Sequence, residues 1–438
     1  MPFLPSEPDN ESMRASIGVN DLFADIPPSV RLSCPPLPPP PRSDAEVERA
    51  VLDTVGANRP VVSFRGGGVY RHHVPAVVSS IVSRGEFATS YTPYQPEVSQ
   101  GMLQSLYEYQ CLMAELVGLP VVNASMYDWS TALAEAMLLC VRVTHRDAFA
   151  VPDTMSPQRR AVLGTYAAAA GVDIIDITHH PETGQMDLEH LATVLGRPCA
   201  GVYIESPSYL GFFEEHVPDM AALAHDTGAL LCVGTDPLSC GLARAPGSLG
   251  ADVVVGEASH LGNPVTYGGP LLGLFAVRDD MALIRMMPGR LIGKTVDADG
   301  ATGYVMSLQT REQHIRRERA TSNICTNEAL CAVACAAYLA YLGPRGLAGL
   351  AEALMANARY VMRRLSSLPG WEAPVYRSFH FREFVASSPV SPAAIDAALA
   401  PRGLAGGIPV GTHAALYCIT DLHTRDDIDM LCTVLEGL

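Results

Sequence analysis

The chain has 438 residues, 48% of them apolar, and a formal net charge of −16. That much apolar sequence fills a large core, with room for a smaller domain beside it. The acidic balance argues against nucleic acid or an anionic membrane as a partner, and no uninterrupted apolar run reaches the ~18 residues of a membrane span.

Residues 1–20 have neither a cationic start nor a continuous apolar stretch, so no secretory leader is expected. Residues 1–60 read as an N-terminal arm. "SIGVNDLFADIP" has the look of a short capped helix, and "CPPLPPPPRSDAEVERAVLDTV" follows as a stiff, extended linker or an arm laid across a partner. In "SFRGGGVYRHHVP", Gly66, Gly67 and Gly68 make an anion-binding nest conceivable, while His72 and His73 lack a metal-ligand partner at suitable spacing. "YTPYQPEVSQGMLQSLYEYQ" then changes halfway from a polar, aromatic loop to an amphipathic helix. Such a loop is costly to order unless it touches something.

From about residue 146 the pattern alternates. "DAFAVPD", "VDIIDIT", "CAGVYIES", "ALLCVGTD", "ADVVVGEA" and "LLGLFAVR" read as strands, and "SPQRRAVLGTYAAAAG", "DLEHLATVLG" and "VPDMAALAHDTG" as helices. The strands lack polar alternation, as expected when helices cover both faces of a parallel sheet. This is a doubly wound α/β domain, expected over 61–326. A long apolar helix, "TNEALCAVACAAYLAYLG", leads into a small α+β domain over 327–438, with the helix "GLAEALMANARYVMRRLSSL" and strands in "FHFREFVAS" and "AALYCIT". The eleven cysteines form no CxxC pair and lie mostly in apolar runs. They read as buried hydrophobes in a reducing cytoplasm, Cys331 and Cys335 included, and no metal is assigned. Lys294 is the one lysine, so it alone could form a Schiff base.

The segments "YTPYQPEVSQGMLQSLYEYQCLMAELVGLPVVNASMYD", "GADVVVGE", "YGGPLLGLFAVR", "MPGRLIGKTVDADG" and "LQTREQHIRRERATSNICTNEAL" closely resemble the P-protein (glycine decarboxylase) of the glycine cleavage system. The length matches the first, α-type subunit of its split form. The resemblance implies a fold-type I PLP-dependent transferase architecture, aspartate-aminotransferase-like, in a cytoplasmic heteromer of α2β2 type. Its reaction is decarboxylation of glycine with transfer of aminomethyl to the lipoyl arm of H-protein. The PLP lysine belongs to the β-type partner, and this chain is that partner's structural twin.

Carried onto these residues, the resemblance outlines a vestigial cofactor pocket of Ser125, Tyr127, Trp129, Asp236 and His260. Asp236 ends a strand where this fold pairs an aspartate with the pyridinium, though by itself it reads as a capping residue. His260 lies where the lysine would be, and a histidine forms no stable aldimine. Lys294 reads as an exposed ammonium. Trp129 replaces the family's glycine at a helix start where a phosphate would sit, so its indole fills the pocket or reshapes a neighbouring one. Tyr94, Gln95 and Glu97 in "TPYQPE" either reach over the partner's active site or staple the two subunits together. In "TREQHIRRERATSNICTN", Thr321, Ser322 and Asn323 are candidates for the neighbour's cofactor phosphate. Arg311, Arg316, Arg317 and Arg319, with His314, add charge there or form interface salt bridges. Arg65 and Arg71 depart from the related pattern. These departures leave open a diverged relative acting on another amino acid or amine, and a non-catalytic scaffold for a partner.

Overall fold

The computed structural model describes residues 10–18, 21, 23–32, 40–58, 61–308 and 312–438. They fall into two units, Met1–Arg59 and Pro60–Leu438.

In the first unit the expected helix in "SIGVNDLFADIP" is displaced. A helix runs Asn10–Ile17 and stops at Gly18, whose φ of +67° takes it out of the helical region. The described residues from 21 to 27 form turns instead, with the Asp21 carboxylate accepting from the Phe23 N–H and pairing with Arg31 at 2.7 Å. Residues 33–39 of the proline run lie outside the described residues. Its second half is not extended: Asp44–Gly56 is a helix, started by a capping box in which Ser43 and Glu46 satisfy each other's backbone N–H.

The second unit is built on a seven-stranded sheet. Its spatial order is Val121–Val122, Gly273–Val277, Val253–Glu257, Leu230–Thr235, Gly201–Glu205, Ala148–Pro152 and Asp173–Ile177. Successive residues in these strands face opposite sides. Val202, Ile204, Leu231 and Val233 join the core under helix Gln100–Val117 and the long helix Ala329–Ser366. Phe149, Val151, Tyr203 and Cys232 join the core under helices Trp129–Thr144 and Pro157–Ala170. Two buried faces explain why the central strand runs are mainly apolar, whereas the edge strand Asp173–Ile177 exposes Asp173 and Asp176. The sheet is mixed, however. Gly273–Val277 pairs antiparallel with Val253–Glu257, and Val121–Val122 pairs antiparallel with it in turn. The five parallel strands end together at Pro152, Ile177, Glu205, Thr235 and Glu257, the edge at which such sheets bind ligands.

The helix Ala329–Ser366 is two helices joined at a kink, where Gly343 leaves helical geometry just before Pro344. Its second half covers a three-stranded antiparallel sheet of Glu383–Ser387, Ala414–Cys418 and Ile408–Gly411. Val62–Ser63 pairs with Leu404–Ala405 beside this layer. The loop after Glu205 meets it at Gly211, whose carbonyl accepts from Phe381 N at 3.0 Å. Gly211 has a φ of +98°, and a Cβ there would overlap the Glu383 carbonyl. Gly211→Ala should therefore cost at least ~2 kcal/mol, from left-handed strain plus a backbone clash, read as a lower urea midpoint. An unchanged midpoint would mean that the two layers do not need this close approach.

Candidate functional site

The strand Leu230–Thr235 delivers Asp236 into the interior, 4% exposed. Its carboxylate caps the next turn, accepting from Leu238 N at 3.1 Å, as its position in the sequence implies. Its main partners are charged or polar, and arrive from far along the chain. His260 Nε2 lies 2.8 Å from Asp236 Oδ1, and the guanidinium of Arg382 pairs with Oδ2. Burial would raise the acid's pKa, but Arg382 and then His260 hold it down at about 2. Burial pushes His260 down to about 4 against the pull of Asp236, so its ring is neutral and Nε2 carries the donated proton.

The cluster continues outward. Arg382 Nη1 donates to His72 Nε2 at 2.5 Å, and His72 Nδ1 lies 2.9 Å from Asp421. The guanidinium carbon lies over Tyr70, 3.5 Å from the ring centre. Tyr70 donates in turn to Glu383 at 2.6 Å, and Glu383 also accepts from Gly67 N at 2.6 Å. The glycine turn thus binds an anion that belongs to its own chain. A Cβ on Gly66 would overlap the Glu383 carboxylate.

Beside this lies a second buried pair. Arg159 grips Glu205 with both arms at 2.7 and 2.9 Å, and stacks over the Trp129 indole at 4.0 Å. Trp129 Nε1 donates to the Tyr203 hydroxyl, which donates to Glu205. At the helix start that Trp129 occupies, its backbone N–H points to Glu257 Oε2 at 3.3 Å. That carboxyl also accepts from Ser259 and Leu272 N–H groups, and burial raises it to about 7. The void left among Tyr70, Trp129, Arg159, Asp236 and Arg382 is about 10 Å³, room for one water molecule at most.

A PLP group does not fit these residues. The ring's place beside Asp236 is taken by Arg382, and the helix N-terminus faces Glu257. Lys294 sits exposed on the hairpin of Leu291–Val296 and Thr302–Ser307, opposite Tyr304. Trp129 and Asp236 line this void and His260 meets Asp236, but Ser125 and Tyr127 do not line it. The Ser125 hydroxyl accepts from Asn327 Nδ2 and Glu328 N, which fixes the start of the long helix. Tyr127 packs instead on the core beneath helix Trp129–Thr144.

The two loop candidates meet at Arg290. It donates to the Tyr94 hydroxyl, pairs with Glu312 and holds the Cys325 carbonyl. Gln95 and Glu97 are exposed. Ser322 is turned inward: its hydroxyl donates to buried Glu135 at 2.6 Å and accepts from Ile324 N, leaving no proton for a neighbour's phosphate. Thr321 is half-buried and Asn323 exposed. Arg316, Arg317 and Arg319 are exposed, His314 lies edge-on to Tyr94, and Arg311 is outside the described residues. Arg65 pairs with Asp396 at 2.6 Å, while Arg71 is exposed. The sequence reading missed Arg382, Arg159, Glu205, Glu383 and Arg290. Charges inside apolar strand runs, as in "CAGVYIES" and "FHFREFVAS", were the available signal.

The sheet, the small C-terminal layer and an aspartate at this strand end define the fold of the fold-type I PLP-dependent transferases. An alanine–glyoxylate aminotransferase from Nostoc sp. shares that fold, with a TM-score of 0.61 at 16% identity over 87% of this chain and 95% of that one. A crystal structure of glycine decarboxylase (P-protein) of the glycine cleavage system, in inhibitor-bound form, has a TM-score of 0.86 at 39% identity over 100% of both chains. The probable glycine dehydrogenase (decarboxylating) subunit 1 of Thermococcus onnurineus (strain NA1) is 47% identical over 448 residues, covering 99% of this chain and 98% of the relative. The glycine cleavage system P-protein family matches residues 3–435, and the chain belongs to it. The resemblance read from the motifs is borne out.

Two outcomes test the filled pocket. Arg382→Ala strands the Asp236 carboxylate in the interior and should cost about 3–5 kcal/mol of stability. A loss within experimental error, measured by urea unfolding, would show that the pair is solvated. The second concerns pH. Because His260 titrates near 4 when folded and near its ordinary 6.5 when unfolded, the unfolded chain binds a proton in that window that the folded chain refuses. Its stabilisation is complete above pH 6.5 and is lost as pH falls towards 4. The stability gap between wild type and His260→Asn should shrink over that window, and a constant gap would count against a neutral ring.

Proposed function

We propose that this chain is the first, α-type subunit of a heteromeric glycine decarboxylase (glycine dehydrogenase, aminomethyl-transferring), inactive alone. A β-type partner carries PLP on its lysine, glycine is decarboxylated there, and the aminomethyl group passes to the lipoyl arm of H-protein. The observation that carries this reading is the strand-end pocket filled by Arg382, Trp129 and His260: a family member so closed depends on a second subunit for the cofactor. The family match and the relatives' designation as subunit 1 support it. We read the assembly as α2β2 and the location as the cytoplasm, where buried thiols outside any disulfide, such as Cys199, Cys335 and Cys432, are at home. Residues 61–326 form the large domain in this reading and 327–438 the small one.

The chain's own contribution is positioning. Gln95 and Glu97 offer an amide and a carboxylate on an exposed loop, with Thr321 and Asn323 on the neighbouring one. These groups suit holding an amino-acid substrate with its scissile bond aligned to a partner's cofactor. Ser322 acts through the shape of its loop, by its bond to Glu135. Of the departures that motivate a different substrate, Arg65, Trp129 and His260 are engaged within the chain and Arg71 and Lys294 are exposed; the family match makes glycine the preferred substrate.

The test is co-expression with the β-type partner. The chain alone should show no visible cofactor band, and borohydride should leave no phosphopyridoxyl group on Lys294. The assembled complex should show the band and catalyse glycine–bicarbonate exchange. Glu97→Gln should lower exchange by ~2–4 kcal/mol in the transition state with assembly intact. A trapped adduct on Lys294 would overturn the division of labour, and full activity of Glu97→Gln would leave the loop as a staple.

A further inference from the structure

Residues 92–97 and 312–325 lie far apart in the chain, and one buried side chain joins them. Arg290 stands just before the hairpin strand Leu291–Val296 and is 4% exposed. Its Nη2 donates to the Tyr94 hydroxyl at 3.2 Å and to the Cys325 carbonyl. Its Nη1 pairs with Glu312 at 2.8 Å and lies 3.7 Å from Met306 Sδ. The guanidinium carbon is 4.9 Å from the centre of the Tyr94 ring. Its backbone is fixed as well, since Ala124 N donates to its carbonyl at 2.7 Å.

Glu312 and Cys325 bracket Arg316, Arg317 and Arg319. The fork that holds the tyrosine therefore also closes the base of the second loop. Three partners in three directions suit a planar guanidinium with five fixed donors, and a lysine ammonium would satisfy them only in part. Farther along, Ser322 is held independently by Glu135, so Arg290 governs the loop's base and its distance from Tyr94.

We propose that Arg290 is a positioning residue of the heteromeric site. It touches neither substrate nor cofactor; it sets the Tyr94 loop and the Thr321 loop at one fixed separation, so that both reach the partner together. This rests on the reading that the two loops complete a partner's site.

The experiment has two arms. In the isolated chain, trypsin should cut after exposed Arg316, Arg317 and Arg319. Arg290→Lys should speed that cleavage on the order of tenfold by letting the loop base open. If Arg290→Lys fails to fold, Glu312→Gln removes one prong and serves in its place. In the complex, Arg290→Lys should lower turnover about tenfold or more with assembly unchanged. Tyr94→Phe should then add no further loss in the Arg290→Lys background, whereas it lowers turnover alone. Unchanged trypsin cleavage, or effects of the two substitutions that multiply independently, would overturn the role of Arg290. Faster cleavage with full turnover per complex would instead overturn the reading of the loops as part of a site, and the proposal with it.

Discussion

A carboxylate that stays ionised when buried at a strand end needs a cation or several donors to meet it, and the structure is arranged around how Asp236 meets that demand. Its cation, Arg382, comes from the segment leading into the three-stranded sheet, so satisfying one charge ties the C-terminal layer to the edge of the large sheet. Arg382 then needs acceptors and a surface of its own. His72 supplies the first and Tyr70 the second, which draws in the segment after the glycine turn. His72 leans on Asp421 and Tyr70 on Glu383, which brings in the far end of the chain. Such a pair adds little net stability over well-packed apolar groups of the same volume. What it does is tie the layers together: in this docking Asp236, Arg382, His72 and Asp421 each have a polar partner.

The groups that fill the pocket share a chemical character with those a cofactor would bring. Arg382 is a planar cation lying on an aromatic ring and bonded to the strand-end carboxylate. Glu257 is an acidic group facing a helix N-terminus. Trp129 is a flat apolar body beside Arg159. The frame of the fold has been kept and its demands are met from within. Arg290 gathers the two exposed loops to which the proposed function assigns the positioning role.

Much of the fold was legible because each central strand is one apolar run and each helix shows its stop. The direction of Gly273–Val277 was not, since an antiparallel strand covered on both faces has the same composition as a parallel one. The helix Asp44–Gly56 was hidden behind prolines, although Ser43 and Glu46 spelled its capping box. In the site, Asp236, His260 and Trp129 were legible because each stands at a motif position with a known neighbour. Arg382 was not, because nothing in "FHFREFVAS" says which buried carboxylate lies across from it. Ser322 was assigned outward because a hydroxyl in a polar loop looks free, and its partner Glu135 lies inside an apolar helix run.

The mutual support among these fillers gives the subunit a history that is hard to reverse. Replacing Arg382 alone strands Asp236, replacing Asp236 alone strands Arg382, and removing the Trp129 indole opens a hollow beneath the Arg159–Glu205 pair. Each first step back towards an open site passes through a less stable protein with no cofactor to compensate. Reversion therefore needs several changes at once. In the two-subunit reading, a subunit closed in this way would be kept dependent on its partner by packing and charge, apart from any selection on the catalytic step.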